Sequence, residues 1–259
     1  MKIVIFTSNA MRHKFVANTL APHADEVLVI SESKSKNSPG ATDVDKSPRM
    51  IEHFRLRSES EKKFFGGHDT FKAKSVLVEA SGVNSPHIYE LVKNFNPDVA
   101  FVFGSGFIKE PLLSLIPEGR FINLHLGLSP YYRGSGTNFW PFVNNELEYV
   151  GATILHLDSG IDTGDIIAHV RPKIEHGDTV HIVGNKTIQS AAEILVTIIQ
   201  MLKKGEEIPR LKQWKVSSEH VYKRKDFDDE ALDQYYDNLE DGLFDVYASH
   251  PKEIKLISL

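Results

Sequence analysis

The segment Asp98–Phe103, DVAFVF, is apolar after its first residue, and this restricts the fold more than any other feature. A strand without polar alternation must be buried on both faces, as in parallel sheets that helices cover on both sides. Strands alternating with helices predict an α/β fold with a doubly wound, mostly parallel sheet. The other predicted strands are Lys2–Thr7, Glu26–Ile30, Ser75–Val78, Phe121–Leu126 and a hairpin of Thr153–Leu157 with Asp165–Val170; the predicted helices are Met11–Leu20, Pro86–Phe95 and Thr179–Lys204, the last capped by Asp178.

Composition narrows the class of protein. Of the 259 residues, 41% are hydrophobic and 25% charged, which is ordinary for a globular chain. No cysteine is present, so disulfides and thiolate metal sites are excluded, and the histidines lack the spacing of a zinc site. The N-terminus does not resemble a signal peptide, and no apolar run approaches the roughly 20 residues of a membrane span. We therefore expect a cytoplasmic protein that binds neither a metal ion nor a membrane.

The balance of charge disfavours a nucleic-acid partner. The net charge is −5, and positions 210–259 hold eight Lys and Arg against eleven Asp and Glu, a local balance of 8 − 11 = −3. Proteins that bind tRNA usually present a basic face or a basic extra domain.

Two polar side chains, Asn123 and His125, stand in an otherwise apolar strand. Alternate residues of a strand point to the same face, so the amide and the imidazole lie close together. A later turn, Ser-Gly-Ile-Asp-Thr-Gly-Asp, places Asp162 beside them if the two strands are neighbours. An amide donor, an imidazole and a carboxylate suit acyl transfer to an amine. Without a cysteine or a Gly-x-Ser-x-Gly turn, direct attack by the nitrogen of the substrate fits better than a covalent enzyme intermediate.

The run Asn123-Leu-His125-x-Gly-Leu-Ser-Pro130 with Tyr132-Arg-Gly134, followed by Asp158-x-Gly-Ile-Asp162-Thr-Gly-Asp165, closely resembles the folate-dependent formyltransferases. That family includes glycinamide ribonucleotide transformylase, methionyl-tRNA formyltransferase and the sugar-nucleotide N-formyltransferases. The resemblance extends over positions 1–205, which we expect to form the catalytic domain, a variant of the Rossmann fold. It implies Asn123, His125 and Asp162 as the catalytic residues and 10-formyltetrahydrofolate as the donor.

The resemblance also implies a folate pocket at the loop that follows Asp98–Phe103. Two glycines in this loop let a flat ligand lie against the backbone, although a plain strand-to-helix turn remains the alternative. Asp158 belongs to the same prediction, but it and Asp165 also have the character of turn residues that bind backbone N–H groups. The predicted cofactor-binding residues are Phe103, Gly104, Ser105, Gly106, Phe107, Ile108, Asp158 and Gly160.

The acceptor side is expected in two places. Tyr132, Arg133 and Gly134 lie in the loop after the catalytic strand, which should border the acceptor. The first strand-to-helix turn lacks Gly-x-Gly-x-x-Gly and so disfavours a dinucleotide, but a helix N-terminus still attracts anions. Asn9 and Arg12 would face a phosphate there; alternatively, Ser8 or Asn9 only caps the helix.

Two segments lie outside this pattern. Positions 31–67 are polar and charged, and we interpret them as an insertion on the outside of the domain or as a lid over the substrate. Positions 206–259 form a predicted C-terminal α/β extension. Its run Val221-Tyr222-Lys223-x-Lys225-Asp226-Phe227 resembles a segment of sugar-nucleotide formyltransferases. Its many aromatic residues indicate packing on the domain or on a second subunit, which predicts a homodimer; a direct role with substrate is the alternative.

These observations predict an N-formyltransferase that acts on a nucleotide-linked amino sugar destined for a surface polysaccharide. The alternatives are a methionyl-tRNA formyltransferase-like enzyme, whose long C-terminal barrel we do not find, and a catalytically silent protein that binds folate or a nucleotide. In the expected mechanism Asn123 donates to the formyl oxygen and cationic His125 stabilises its negative charge. Asp162 orients His125 and, through water, accepts the proton of the amine. A separation of imidazole and carboxylate beyond about 8 Å would exclude this mechanism.

Overall fold

The structure is a computed structural model that describes residues 1–33, 46–158, 160–250 and 252–259. Its main sheet has seven strands in the order β3-β2-β1-β4-β5-β7-β8. These strands are β1 (Lys2–Ser8), β2 (Glu26–Glu32), β3 (Lys74–Val78), β4 (Val99–Phe103), β5 (Phe121–His125), β7 (Ala152–His156) and β8 (Ile166–Val170). Two short strands, β6 (Tyr132–Gly134) and β9 (His220–Tyr222), pair in parallel outside it.

The helices are α1 (Met11–Leu20), α2 (Pro48–Phe65), α3 (Pro86–Phe95), α4 (Trp140–Val143), α5 (Val180–Lys203), α6 (Asp229–Glu240) and α7 (Leu243–Ser249). No helix among the described residues is long and apolar enough to cross a membrane.

Strands β1 to β5 of the main sheet pair in parallel, whereas β7 runs antiparallel to both β5 and β8. The prediction of a doubly wound, mostly parallel sheet is therefore confirmed. From β1 the chain adds strands first on one side, through β2 and β3, and then on the other side, through β4 and β5. Open sheets of this kind bind ligands at the carboxyl ends of the strands, near the point where the order reverses. His125 ends β5 at that edge.

The side chains of β1 point alternately to the two faces of the sheet, and each face is covered by helices. Ile3 and Ile5 pack in one cluster with residues of α1 and α5, while Val4 and Phe6 pack in another with residues of α3. Side chains of neighbouring strand residues point to opposite faces, so a strand that is apolar throughout needs a helical layer on each side. Both faces of the sheet are thus covered behind the edge where β4 and β5 end.

The interpretation of positions 31–67 as an outer insertion is wrong at both of its described ends. Glu32 is the last residue of β2 and is buried, and α2 ends with Phe65, which is fully buried in the main core. The charged pattern of α2 hid its buried face, on which His53 and Glu61 also lie. Residues 34–45 of the predicted insertion lie outside the described residues. The cap of α5 also differs from the prediction, because the side chain of Thr179, not Asp178, accepts from the N–H of Ile182.

The extension after α5 packs on the domain. Leu232 and Tyr235 of α6 lie in one cluster with Phe142 of α4 and the fully buried Tyr132 of β6. The Trp, Tyr and Phe residues of the extension all pack in or against this cluster: Trp214, Tyr222, Phe227, Tyr235, Tyr236, Phe244 and Tyr247. The first of the two packing alternatives, contact with the same chain, is therefore observed. The homodimer stays a prediction.

Candidate active site

Three side chains that the sequence analysis singled out meet at the carboxyl end of β5. Nδ1 of His125 lies 3.3 Å from Oδ2 of Asp162, and Nδ2 of Asn123 lies 3.5 Å from Oδ1 of the same carboxylate. The strand β5 places the amide and the imidazole on one face, and the chain after β7 returns the carboxylate to them. The His125 side chain is 7% exposed and that of Asp162 14%. The group is thus largely shielded from water, which strengthens its electrostatic effect on a bound molecule.

Both ring nitrogens of His125 face acceptors. Nδ1 faces the carboxylate of Asp162, and Nε2 lies 3.2 Å from the carbonyl oxygen of Tyr132. A ring protonated at both nitrogens satisfies both contacts, whereas a neutral ring leaves one acceptor without a donor. The two contacts hold the imidazole ring in place from both sides. Asn123 uses one of its two amide hydrogens on Asp162, and this contact leaves its other amide hydrogen unused.

The turn that carries Asp162 is tightly built. Asp162 has φ of 52°, in the left-handed region that few side chains occupy. Asp158 accepts from the N–H of Gly160 at 3.0 Å and from the hydroxyl of Thr163 at 2.9 Å. A Cβ on Gly160 would overlap that hydroxyl. Asp158 thus acts as a turn residue, as the alternative interpretation held, and Gly160 leaves room for the hydroxyl of Thr163. The contact of Asp158 and Gly160 with the cofactor stays a prediction.

Strand β6 supports the carboxylate from the other side. The N–H of Gly134 lies 3.4 Å from Oδ2 of Asp162. Gly134 has φ of 93°, and a Cβ there would overlap the carbonyl oxygen of Tyr222 in β9. Glycine is therefore the residue that lets the two short strands approach each other. Gly134 thus contacts the carboxylate of Asp162, and its contact with the acceptor stays a prediction.

The predicted folate loop, positions 103–108, divides into buried and exposed parts. The side chains of Phe103 and Ile108 pack in the core on opposite faces of the sheet, and their contact with the cofactor stays a prediction. The Phe107 ring is 62% exposed. Gly104 has φ of 73°, and a Cβ there would overlap the ring of His13.

Glu32 holds this loop and was missed by the sequence analysis. Its buried carboxylate accepts from the N–H of Gly106, from the hydroxyl of Ser105 at 3.1 Å and from the N–H of Val83 at 3.4 Å. An acidic residue that ends an apolar strand was the available signal, but it lay at the border of the supposed insertion. Its carboxylate determines the position of the two central loop residues.

Asn9 and Arg12, the two residues near the start of α1 that were predicted to face a phosphate of the acceptor, have different surroundings. Asn9 is exposed, whereas the guanidinium of Arg12 is bound to Glu61 of α2. Burial and the neighbouring Arg57 lower the pKa of Arg12 to about 10. Because Glu61 already occupies Arg12, the prediction that Arg12 binds a phosphate is not supported by these contacts. The capping alternative is also wrong, since α1 begins after Ala10 without a capping side chain.

The acceptor predictions in β6 need one correction. Tyr132 is fully buried, and its hydroxyl donates to Glu146; burial, together with this contact, raises the pKa of Tyr132. It is a core residue and has no surface for a substrate. Arg133 is partly exposed and is bound by Gln213 at 2.6 Å and by Glu219. Gln213 is a second residue, after Glu32, that was not predicted from the sequence. It lies in the extension, and its amide also donates to the carbonyl oxygen of Asp162.

Comparison with known sequences agrees with the family that the motif residues of this site resemble. Residues 1–199 match the model of the family described as formyl transferase. Methionyl-tRNA formyltransferase from Caldanaerobacter subterraneus subsp. tengcongensis is 34% identical over 138 residues. That alignment takes in 53% of this chain and 44% of the relative, so the chain matches less than half the length of this relative.

Solved structures share the fold. An N-formyltransferase from Helicobacter canadensis, in complex with folinic acid and dTDP-3-aminofucose, aligns with a TM-score of 0.57 at 21% identity over 88% of this chain and 73% of its own. The formyltransferase PseJ from Anoxybacillus kamchatkensis, in complex with UDP-4,6-dideoxy-4-formamido-L-AltNAc and tetrahydrofolate, aligns with a TM-score of 0.51 at 20% identity over 94% of each chain. At these identities the likeness concerns the fold alone. The match of the family model to most of the chain shows that this protein belongs to the formyl transferase family.

Proposed function

We propose that this protein is a folate-dependent N-formyltransferase that moves the formyl group of 10-formyltetrahydrofolate to the amino group of a nucleotide-linked amino sugar. The observation that carries the proposal is the 3.3 Å contact between His125 and Asp162, with the amide of Asn123 on the same carboxylate. Family membership supplies the reaction class. On this proposal the product is a formamido sugar for a surface polysaccharide.

Each of the three side chains has one role. Asn123 uses its remaining N–H to donate to the formyl oxygen, and His125, held as a cation, stabilises the negative charge that develops there. Asp162 keeps His125 charged and oriented, and it accepts, through water, the proton that the attacking amine loses. A carbon–nitrogen bond to the amine forms, the carbon–nitrogen bond to the donor breaks, and a proton passes to the nitrogen that leaves. When bound, 10-formyltetrahydrofolate supplies the activated formyl carbonyl.

The loop after β4 fits the donor. Gly104 and Gly106 keep the backbone free of side chains, and the exposed ring of Phe107 offers an apolar surface to a flat heterocycle. Glu32 holds the loop from behind. We therefore assign Gly104, Ser105, Gly106 and Phe107 to the donor pocket and leave Phe103 and Ile108 as its buried supports. Asp158 and Gly160 shape the turn opposite.

A nucleotide-linked amino sugar is the acceptor we favour. The Helicobacter canadensis structure holds dTDP-3-aminofucose, and PseJ holds a UDP-linked formamido sugar. The PseJ alignment extends over 94% of this chain, so it includes most of the extension. Asn9, Arg133 and the backbone of Gly134 are the acceptor-side residues in this proposal.

Methionyl-tRNA is the second candidate acceptor, because the curated relative described above is a methionyl-tRNA formyltransferase. The net charge of −5 speaks against it, since tRNA binding relies on basic surface. Affinity for tRNA that falls steeply with salt would favour this candidate.

The test is a transfer assay with separate acceptors. The protein is incubated with 10-formyltetrahydrofolate and, one at a time, with dTDP- and UDP-linked amino sugars and with methionyl-tRNA; mass spectrometry then detects the gain of one formyl group. We expect formylation of an amino-sugar nucleotide by the wild-type chain and none by Asp162→Asn. Binding of folinic acid without transfer to any amine would indicate a catalytically silent binding protein and overturn the proposal.

A further inference from the structure

The side chain of Gln213 joins the extension to the turn that carries Asp162. Its Nε2 lies 2.8 Å from the carbonyl oxygen of Asp162 and 2.8 Å from that of Gly164. Its Oε1 accepts from Nη2 of Arg133 at 2.6 Å. Both amide hydrogens and the amide oxygen are therefore used. Only this orientation of the amide puts donors on the two carbonyls and the acceptor on the guanidinium.

The two carbonyl groups belong to a part of the turn whose backbone conformation is unfavourable. Asp162 lies in the left-handed region at φ of 52°, which is unfavourable for a residue other than glycine. A Cβ on Gly164 would overlap the carbonyl oxygen of His156, so the chain is tightly confined there. Hydrogen bonds from Gln213 on both sides of Thr163 hold this backbone in place. The direction of the Asp162 side chain follows from it.

Through Arg133, Gln213 also positions Gly134, whose N–H is the second group that contacts the carboxylate of Asp162. Arg133, which donates to Gln213, precedes Gly134, whose N–H faces Oδ2 of Asp162. Arg133 is bound in addition to Glu219, next to β9. One amide thus ties the turn of Asp162 to the strand that contacts its carboxylate. Glutamine is the residue whose reach and mixed donor and acceptor character suit this place; glutamate would set a carboxylate against two carbonyl oxygens.

We propose that Gln213 is a positioning residue for the carboxylate of Asp162, so that the extension forms part of the catalytic apparatus. The role in catalysis rests on the proposed formyl transfer. Gln213 lies beyond residues 1–199, which the family model matches, so that match does not imply it. The chemistry required of the residue is to donate to two backbone carbonyls while accepting from a guanidinium.

The principal test variant is Gln213→Met, which keeps the length of the side chain but removes its three hydrogen bonds. Lys212→Ala, at the exposed neighbouring position, is the matched control. In the transfer assay we expect Gln213→Met to lower kcat by up to about 10²-fold, the effect of a small misplacement of a reacting group, with little change in KM for the amine. Lys212→Ala should behave as the wild type.

A second measurement does not need turnover. The ¹⁵N resonance of His125 Nδ1 reports the contact with Asp162, and Gln213→Met should shift it while Lys212→Ala should not. If Gln213→Met does not fold by circular dichroism, Gln213→Glu, which keeps the acceptor for Arg133, replaces it in the kinetic test. Unchanged kcat in the folded variant, or an unchanged His125 resonance, would overturn the inference. Absence of transfer by the wild type would instead refute the proposed function, and the resonance would still test Gln213.

Discussion

Oδ2 of Asp162 lies 3.3 Å from Nδ1 of His125, in a site largely closed to water. Substitution of Asp162 by asparagine removes the carboxylate that contacts and orients the imidazole. We therefore expect Asp162→Asn and His125→Ala each to lower kcat by at least about 10²–10³-fold without unfolding the chain. Asp165→Asn, in the same turn but paired with Arg210, is the control and should keep its activity. Near-wild-type turnover in either test variant would refute the mechanism.

Gly134 should be intolerant of a side chain for two separable reasons. Its φ of 93° disfavours any other residue, and a Cβ would also overlap the carbonyl of Tyr222. Gly177 has φ of 86° with open space around it, so Gly177→Ala isolates the conformational cost, roughly 1 kcal/mol. In urea denaturation, Gly134→Ala should lower the free energy of unfolding clearly more than Gly177→Ala. Equal losses would mean that β6 and β9 separate easily.

Glu32 should control affinity for the donor. Its charged hydrogen bonds to the loop at Gly106 are of a kind that contributes about 1.5–3 kcal/mol each. Glu32→Gln should therefore raise the Kd for folinic acid about 10-fold or more by calorimetry. The control is Glu26→Gln, at the exposed start of the same strand, which should bind as the wild type. Unchanged affinity in Glu32→Gln would show that this loop does not hold the donor.

Two histidines should make stability sensitive to acid. Burial, with smaller contributions from His181 and Arg57, lowers the pKa of His53 to about 3, and burial with Arg57 lowers that of His181 to about 4. In the unfolded chain both titrate near their ordinary value of about 6.5. Between about pH 6.5 and 4 the unfolded state binds more protons than the folded state, so the free energy of unfolding falls as pH falls.

The rings of His53 and Phe139 pack edge to face, so His53→Phe suits the same apolar surroundings. This variant should flatten the pH dependence of the free energy of unfolding by up to about 1.4 kcal/mol per pH unit. His87→Gln, at an exposed position, should leave it unchanged. Urea denaturation at a series of pH values measures the slope, and an unaltered slope in His53→Phe would contradict the assignment.

The extension should unfold together with the rest of the chain. Leu232 is fully buried in the cluster that it shares with Phe142 and Tyr132. Leu232→Ala should cost about 2–5 kcal/mol and move the far-UV and near-UV transitions together. Leu256→Ala, at an exposed position, is the control. A separate early transition in the near-UV signal would show that the extension is an independent unit.

Some residues of the site can be predicted from the sequence, whereas others are recognised only in the structure. Asn123 and His125 are separated by one residue of a strand, so their common face follows from local geometry alone. Asp162 was found because its turn has a distinctive composition beside a strand. Glu32 and Gln213 act on backbone atoms of distant segments. The end of an apolar strand was the one local signal for Glu32, and no local signal marks Gln213.

Arg12 and Tyr132 are residues that the sequence suggested as ligand contacts but whose side chains are occupied within the chain. Each has a side chain suited to a ligand, but Arg12 is bound by Glu61, and Tyr132 is enclosed by the extension. Both partners come from segments that the sequence analysis treated as peripheral.

The amino-acid sequence by itself determined the strands of the main sheet, the helices α1, α3 and α5 and the chemical character of the candidate catalytic group, because hydrophobic periodicity and turn composition act over a few residues. Only the tertiary structure decided that α2 closes the core, that Glu32 supports one loop and that Gln213 supports the other. Those contacts depend on strand order and on the docking of the extension. Pairings between distant segments arise from the packing of the whole chain, which no local pattern encodes.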